Sequence, residues 1–278
     1  MSLPEDLSCK VNSTENLRLI NGTLAITGIY QKMETKIFTS AALTSIEHFK
    51  YGRFELRAAL PQGKLLAPLI SLVPAIRSSV RLSQRDGEVA IVDYFQELIT
   101  NRIHFVGKQQ NVVLSGTVET EASLSQFHTY SFTWNETDMT WLFDDQQNFH
   151  VNLTKTFDNL YKPFDDPFKL VLNLIIGGRN FDLNNWTLQD IINWNCSLLI
   201  IDYVRVYQFS EHSNETDVFP LNISDSQVSI ADICGAVMPF IIPLTPKNDR
   251  YFWIICSIIS ILILFLILII ILIYLIPF

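Results

Sequence analysis

Ahead of residue 251 the sequence lacks any internal repeat, any heptad seam and any long run of helical periodicity. Solenoids, coiled coils and helix bundles are excluded on that ground. Cysteine is scarce: Cys9, Cys196, Cys234 and Cys256 are the whole set, at no spacing that suits zinc. Basic residues are outnumbered, 20 Lys and Arg against 28 Asp and Glu, for a net charge of −8. Nucleic acid, whose phosphates need a basic face, is therefore not an expected partner. Neutral ligands such as sugars are not discouraged. No calcium-ligand set and no cofactor signature can be placed, so neither metal nor cofactor is expected. Residues 1–20 also lack the apolar core of a signal peptide, because Glu5, Asp6 and Lys10 interrupt it. The expectation is that the natural chain starts earlier.

What the sequence does have is an uncharged apolar run from Phe252 to Ile276. About 25 residues at roughly 1.5 Å each reach about 37 Å, enough to cross a hydrocarbon core about 30 Å thick. Tyr251, Phe252 and Trp253 cluster at its start and Tyr274 near its end, as aromatic belts do at membrane interfaces. A C-terminal transmembrane helix is expected over residues 251–278. A tail exchanged for a glycosylphosphatidylinositol anchor is the alternative, with Cys234, Gly235 and Ala236 small enough for the cleavage site. Asn-x-Ser/Thr sequons stand at Asn12, Asn21, Asn135, Asn152, Asn185, Asn195, Asn214 and Asn222. Chance would supply roughly two or three in such a composition. They place the N-terminal part outside the cell, on a single-pass membrane protein, against the weak opposing bias of Lys247 and Arg250. The cysteines outside the apolar run, Cys9, Cys196 and Cys234, allow one disulfide with one thiol left over.

Before the tail, short alternating segments recur between turn signals, the pattern of an all-β sandwich or barrel. Strands are expected at Leu17–Ile20, Thr23–Thr27, Tyr51–Leu60, Ala67–Val73, Glu88–Phe95, Arg102–Val106, His128–Asn135, Thr140–Asp144, Phe168–Ile176 and Leu198–Gln208. In the third, Phe54, Leu56 and Ala58 take one side and Arg53, Glu55 and Arg57 the other. Asn21-Gly22 and Pro61-Gln62-Gly63 read as turns, and Asp144-Asp145 as the tip of a hairpin. The expected domains are a β-sandwich over 1–209, a glycosylated, proline-containing stalk over 210–250, and the membrane segment over 251–278.

From Tyr51 onward the blocks Tyr51 to Pro74, Asp86 to Phe95, Ile103 to Gly107, Phe127 to Trp134, Trp141 to Gln146, Pro163 to Gly178 and Ile201 to Gln208 resemble, in order, those of glycoside hydrolase family 16, the group of laminarinases, licheninases and β-1,3-glucan recognition proteins. "YGRFELRAALPQGKLLAPLISLVP" (Tyr51 to Pro74) is similar to that family's "YGRFExRAKLPxGxGxWPAxWLLP". "DGEVAIVDYF" (Asp86 to Phe95) stands where the family has "GEIDIMEY", and "IHFVG" (Ile103 to Gly107) at "VHYGG". "FHTYSFTW" (Phe127 to Trp134) and "WLFDDQ" (Trp141 to Gln146) match a strand pair. "PFDDPFKLVLNLIIGG" (Pro163 to Gly178) and "IDYVRVYQ" (Ile201 to Gln208) complete the order. The resemblance covers about residues 15–209. It implies a concanavalin A-like β-jelly-roll of two stacked antiparallel sheets, and β-glucan or a related polysaccharide as the ligand.

The resemblance also assigns a site. Retaining glycosidases use two carboxyls about 5–5.5 Å apart. The family carries them in Glu-x-Asp-x-x-Glu on one strand, where a bulge must turn the last carboxylate onto the face of the first two. Here the motif reads Glu88-Val-Ala90-Ile-Val-Asp93. Glu88 matches the nucleophile, Ala90 replaces the middle Asp, and Asp93 replaces the acid/base Glu. The shorter side chain retracts the carboxyl by roughly 1.5 Å, and a misplacement of about 1 Å can cost ~10²-fold. The family's "WPAxW" becomes Ala67-Pro68-Leu69-Ile70-Ser71, without the tryptophans on which sugar rings stack. His104, Asn173 and Trp186 are candidate ligand contacts, and Trp194 a weaker one; Trp134 and Trp141 are expected in the core. The expected function is glucan recognition by a membrane-anchored protein with an impaired active site. A slow endo-β-1,3-glucanase or transglycosylase, and a ligand-free adhesion scaffold, are the alternatives.

Overall fold

Alternation at residues 52–59 sets the register of the central strand: Phe54, Leu56 and Ala58 are fully buried while Arg53, Glu55 and Arg57 face outward. The computed structural model describes residues 6–76, 87–95, 97–106, 111–157, 162–178, 186–194, 196–208, 217–220 and 229–237. The apolar run and the sequons at Asn185, Asn195, Asn214 and Asn222 lie outside these residues. Among the described residues no helix is long and apolar enough to cross a membrane.

In chain order the strands are β1 (Ser8–Lys10), β2 (Leu17–Ile20), β3 (Thr23–Thr27), β4 (Ile29–Met33), β5 (Lys36–Ser40), β6 (Ala42–Thr44), β7 (Gly52–Ala59), β8 (Leu66–Pro74), β9 (Glu88–Phe95), β10 (Leu98–Val106), β11 (Asn111–Thr117), β12 (His128–Trp134), β13 (Asp138–Phe143), β14 (Gln146–Asn152), β15 (Phe168–Ile176), β16 (Leu198–Gln208) and β17 (Asp217–Pro220). Short helices are α1 (Leu153–Thr156), α2 (Leu188–Ile192) and α3 (Ile230–Val237). One large sheet runs β11-β10-β9-β8-β15-β6; the other runs β14-β13-β12-β7-β16-β3-β2, with β17 on β16. A small sheet, β1-β5-β4, joins β1 and β5 in parallel. All other pairings among the described residues are antiparallel, which gives the all-β sandwich that the alternating segments predict, of the jelly-roll type that the resemblance implies.

Both large sheets turn one face to a shared core. Phe54, Leu56 and Phe132 from one meet Ile70, Leu72, Val89 and Ile103 from the other in a single cluster. Each such side chain contributes roughly 1.5–3 kcal/mol by leaving water. Trp134 and Trp141 are wholly buried, as expected, with Trp134 edge-on to Phe168 across the sheets at 5.3 Å. The turns read from the sequence are also present. Asn21-Gly22 and Asp144-Asp145 both adopt positive φ at their two central residues (48° and 80°, 46° and 63°), as tight antiparallel hairpins require.

A second, smaller cluster gathers Phe38, Leu65, Leu66, Ile176, Ile191 and Trp194 beside one end of β8 and β15. Cys196 and Cys234 form the disulfide, joining α3 to the residues just before β16, and Cys9 is the thiol left over. Within the stretch expected as stalk, β17 pairs with Arg205–Gln208 of β16, and α3 is held covalently. Those two pieces are attached to the sandwich.

Candidate functional site

The outer face of the six-stranded sheet is where the singled-out residues meet. It is organised by a bulge in β9. Against β8, Val92 pairs with Ile70 and Ala90 with Ser71; against β10, Asp93 pairs with Thr100 and Ala90 with Arg102. On both sides β9 holds one residue more than its neighbour, between Ala90 and Val92 against β8 and between Ala90 and Asp93 against β10. The carbonyls this leaves out of the ladder are satisfied by side chains from elsewhere. The Trp141 indole donates to the Ala90 carbonyl at 3.0 Å, and the buried Asn101 amide donates to the Ile91 carbonyl at 2.6 Å. Asn148 in turn donates to the Asn101 side-chain oxygen. A buried carbonyl without such a donor costs about 1–3 kcal/mol, so these side chains make the bulge tolerable.

The bulge keeps Val89, Ile91, Val92 and Tyr94 in the core cluster and leaves Glu88, Ala90 and Asp93 on the opposite face. The Glu88 and Asp93 side chains remain 29% and 31% exposed, whereas Ala90 is wholly covered. What covers the strand there is charge-bearing. Arg102 lies directly across from Ala90, its Nε donates to Asp93 Oδ2 at 2.6 Å, and its Nη2 sits 3.7 Å from Glu88 Oε1. Burial works against the guanidinium charge, but Asp93 and then Glu88 outweigh it, and the Arg102 pKa stands above its ordinary value.

Two further candidates flank this centre. His104 pairs with Glu88 across the β9–β10 ladder and is engaged within the protein. Asn173 pairs with Leu69, which pairs with Asp93, so the three share one row across β15, β8 and β9. The Asn173 side-chain oxygen is buried, without a donor among the described residues. On β8, Ala67, Leu69, Ser71 and Val73 form the alternating set on this face, so that strand offers no ring for a sugar to stack on.

The other tryptophans lie elsewhere. The Trp186 ring packs against Phe38 at 5.8 Å, half-buried on the smaller cluster. Trp194 is a core residue, not a surface contact: it is 2% exposed and donates its indole N–H to the Lys64 carbonyl at 2.9 Å. Of the described sequons, Asn12 and Asn21 are exposed. The Asn135 side-chain oxygen accepts from the amides of Thr137 and Asp138, and the Asn152 oxygen caps α1 through the Lys155 amide at 2.9 Å. A cavity of about 800 Å³ opens near the β9–β10 turn, lined by Glu97, Glu119 and Glu121 among others, but it contains neither Glu88 nor Asp93. Among the described residues no group of three or more His, Cys, Asp or Glu is placed to hold a metal ion.

Glu88 and Asp93 thus share a face, which is the arrangement double-displacement glycoside chemistry requires. Sequence reasoning missed Arg102. Its one signal is its place two residues before His104, which puts both on the same face of β10 once a strand is assumed there.

Comparison with known proteins agrees with this architecture. The chain is 30% identical over 222 residues to a glucan endo-1,3-beta-glucosidase of Cryptopygus antarcticus, covering 74% of this chain and 82% of that one. The solved laminarinase of Rhodothermus marinus superposes with a TM-score of 0.64 at 25% identity, over 74% of this chain and 86% of that one. A beta-1,3-glucan-binding protein of Manduca sexta is 25% identical over 205 residues, covering 57% of this chain and 42% of that one. Residues 8–196 match the family model described as glycosyl hydrolases family 16. That span holds the bulged strand and most of both large sheets, and the chain belongs to that family.

Proposed function

We propose that this protein recognises β-glucan or a related polysaccharide at the cell surface, with hydrolysis impaired, and is anchored by its C-terminal apolar run. The observation that carries this reading is Ala90, wholly buried between Glu88 and Asp93 on the bulged strand. The frame that presents three carboxylates in the motif is intact, and the middle one is missing. The retracted Asp93 adds a second departure on the same face. Relatives include both a glucan endo-1,3-beta-glucosidase and a beta-1,3-glucan-binding protein, in keeping with glucan as the ligand. The Cys196–Cys234 disulfide supports an oxidising compartment, in keeping with the sequons. Glu88, Asp93, His104 and Asn173 are the proposed ligand contacts, with Trp186 at the periphery.

The test is incubation with laminarin, reading reducing ends against a Glu88→Gln control, together with retention on a curdlan column. Retention without Glu88-dependent turnover is the expected result. Glu88-dependent turnover at ordinary rates would make the protein a working endo-β-1,3-glucanase. That second reading is favoured by one observation, the placement of Glu88 and Asp93 on one face. Neither retention nor turnover would leave a scaffold.

A further inference from the structure

Arg102 has a geometry that the alanine at position 90 and the short side chain of Asp93 do not by themselves explain. Its guanidinium lies across from the methyl of Ala90, reaches Asp93 with a 2.6 Å hydrogen bond and sits 3.7 Å from Glu88. Only 22% of its side chain is exposed.

We propose that Arg102 is a positioning residue that fixes Asp93 as a hydrogen-bond acceptor, so that the groove keeps a nucleophile but has no proton donor. The inference rests on the reading above. In double displacement a Glu88 oxygen bonds to the anomeric carbon as the glycosidic C–O bond breaks, and the departing oxygen takes a proton from the acid/base residue. Water then attacks the anomeric carbon, gives its proton to that residue, and the Glu88–carbon bond breaks. With Asp93 Oδ2 taken up by the Arg102 N–H beside a permanent cation, that oxygen is not placed to hand a proton to the departing oxygen in the first half. The block therefore falls on leaving groups that need a proton. A 2,4-dinitrophenyl leaving group departs as a stable anion and needs none, whereas a sugar hydroxyl does.

The decisive measurement uses the full-length chain on two substrates, laminarin and 2,4-dinitrophenyl β-laminaribioside. The wild type is expected to release dinitrophenolate in a Glu88-dependent way while leaving laminarin intact. Arg102→Gln is expected to raise laminarin turnover by ~10-fold, the low end of what acid–base catalysis supplies because the Asp93 side chain stays short. The rise must vanish in the Glu88→Gln/Arg102→Gln double variant. Arg102→Lys keeps a cation in the groove but gives up the planar Nε contact, and is expected to rise less than the Gln variant; it decides the matter alone if Arg102→Gln does not fold. The proposal is overturned if either variant, still retained on curdlan, keeps the wild-type ratio between the two substrates. It is also overturned if the wild type cleaves both substrates alike. Loss of curdlan retention by the wild type would sink the recognition reading instead, leaving the substrate ratio as an independent result.

Discussion

Trp141 belongs to the sheet opposite the site, yet its indole N–H is what satisfies the Ala90 carbonyl at the bulge. Its contribution to the groove is thus made through the core. Trp141→Phe keeps most of the apolar volume and leaves that carbonyl without a donor, so the variant should lose about 1–3 kcal/mol. A fall in the urea midpoint at constant slope is the readout, and an unchanged midpoint would mean that the bulge carbonyl finds another partner. Asp165 gives a pH signature of its own. The Lys50 ammonium at 2.9 Å and the Tyr51 hydroxyl at 2.8 Å hold its carboxyl below the ordinary value of 3.8. A group depressed in the folded state contributes stability above its unfolded value and loses it as pH falls through the folded one. The stability gap between wild type and Asp165→Asn should therefore be full at neutral pH and close only below 3.8. A gap that is flat down to pH 2 would show that the pairing adds nothing.

Elements that bury one face and wet the other were readable from sequence, because side-chain direction alternates with period two. The strands expected at 17–20, 23–27, 88–95, 168–176 and 198–208 appear with those limits. Three of the missed ones have physical excuses. Residues of β4 and β6 are mostly exposed, and β11 is an edge strand that follows residues 107–110 with a mixed Val, Leu, Ser and Thr composition. The candidate site was legible as far as one strand could reveal it. The need for a bulge follows from the spacing of Glu88 and Asp93, but Arg102, Trp141 and Asn101 meet β9 only through pairing and packing, which no single-strand pattern encodes. At the same scale, the Cys196–Cys234 link spans 38 residues and ties α3 down. Cys234→Ser should lower stability by about 2–4 kcal/mol. Thermal melts read the loss, and a reductant should bring the wild type to the variant's midpoint; equal midpoints without reductant would show that the cross-link is not formed.

For the molecule as a whole, the sandwich and the family are established, while the site and the cellular placement are proposals, the latter with its own test. Expressed in secretory cells, the chain should run as a glycoform ladder that peptide N-glycosidase collapses to one band. Asn12→Gln and Asn21→Gln should each remove a rung, both asparagines being exposed. A chain with no mobility shift would remove the sequons as evidence of topology.

The cross-link also sets how the protein bears tension. A pull applied beyond Cys234 passes through the sulfur bridge to Cys196, whose backbone is bridged to Gln62 next to the start of β8. Residues 197–233, with β16 and β17, are thereby bypassed and carry no load. In single-molecule stretching the oxidised chain should extend without releasing that segment. Reduction should add a step whose contour length matches the 38-residue separation. A protein held by its C-terminal end on a moving surface would then be spared extension of β16 itself for as long as the disulfide stays closed.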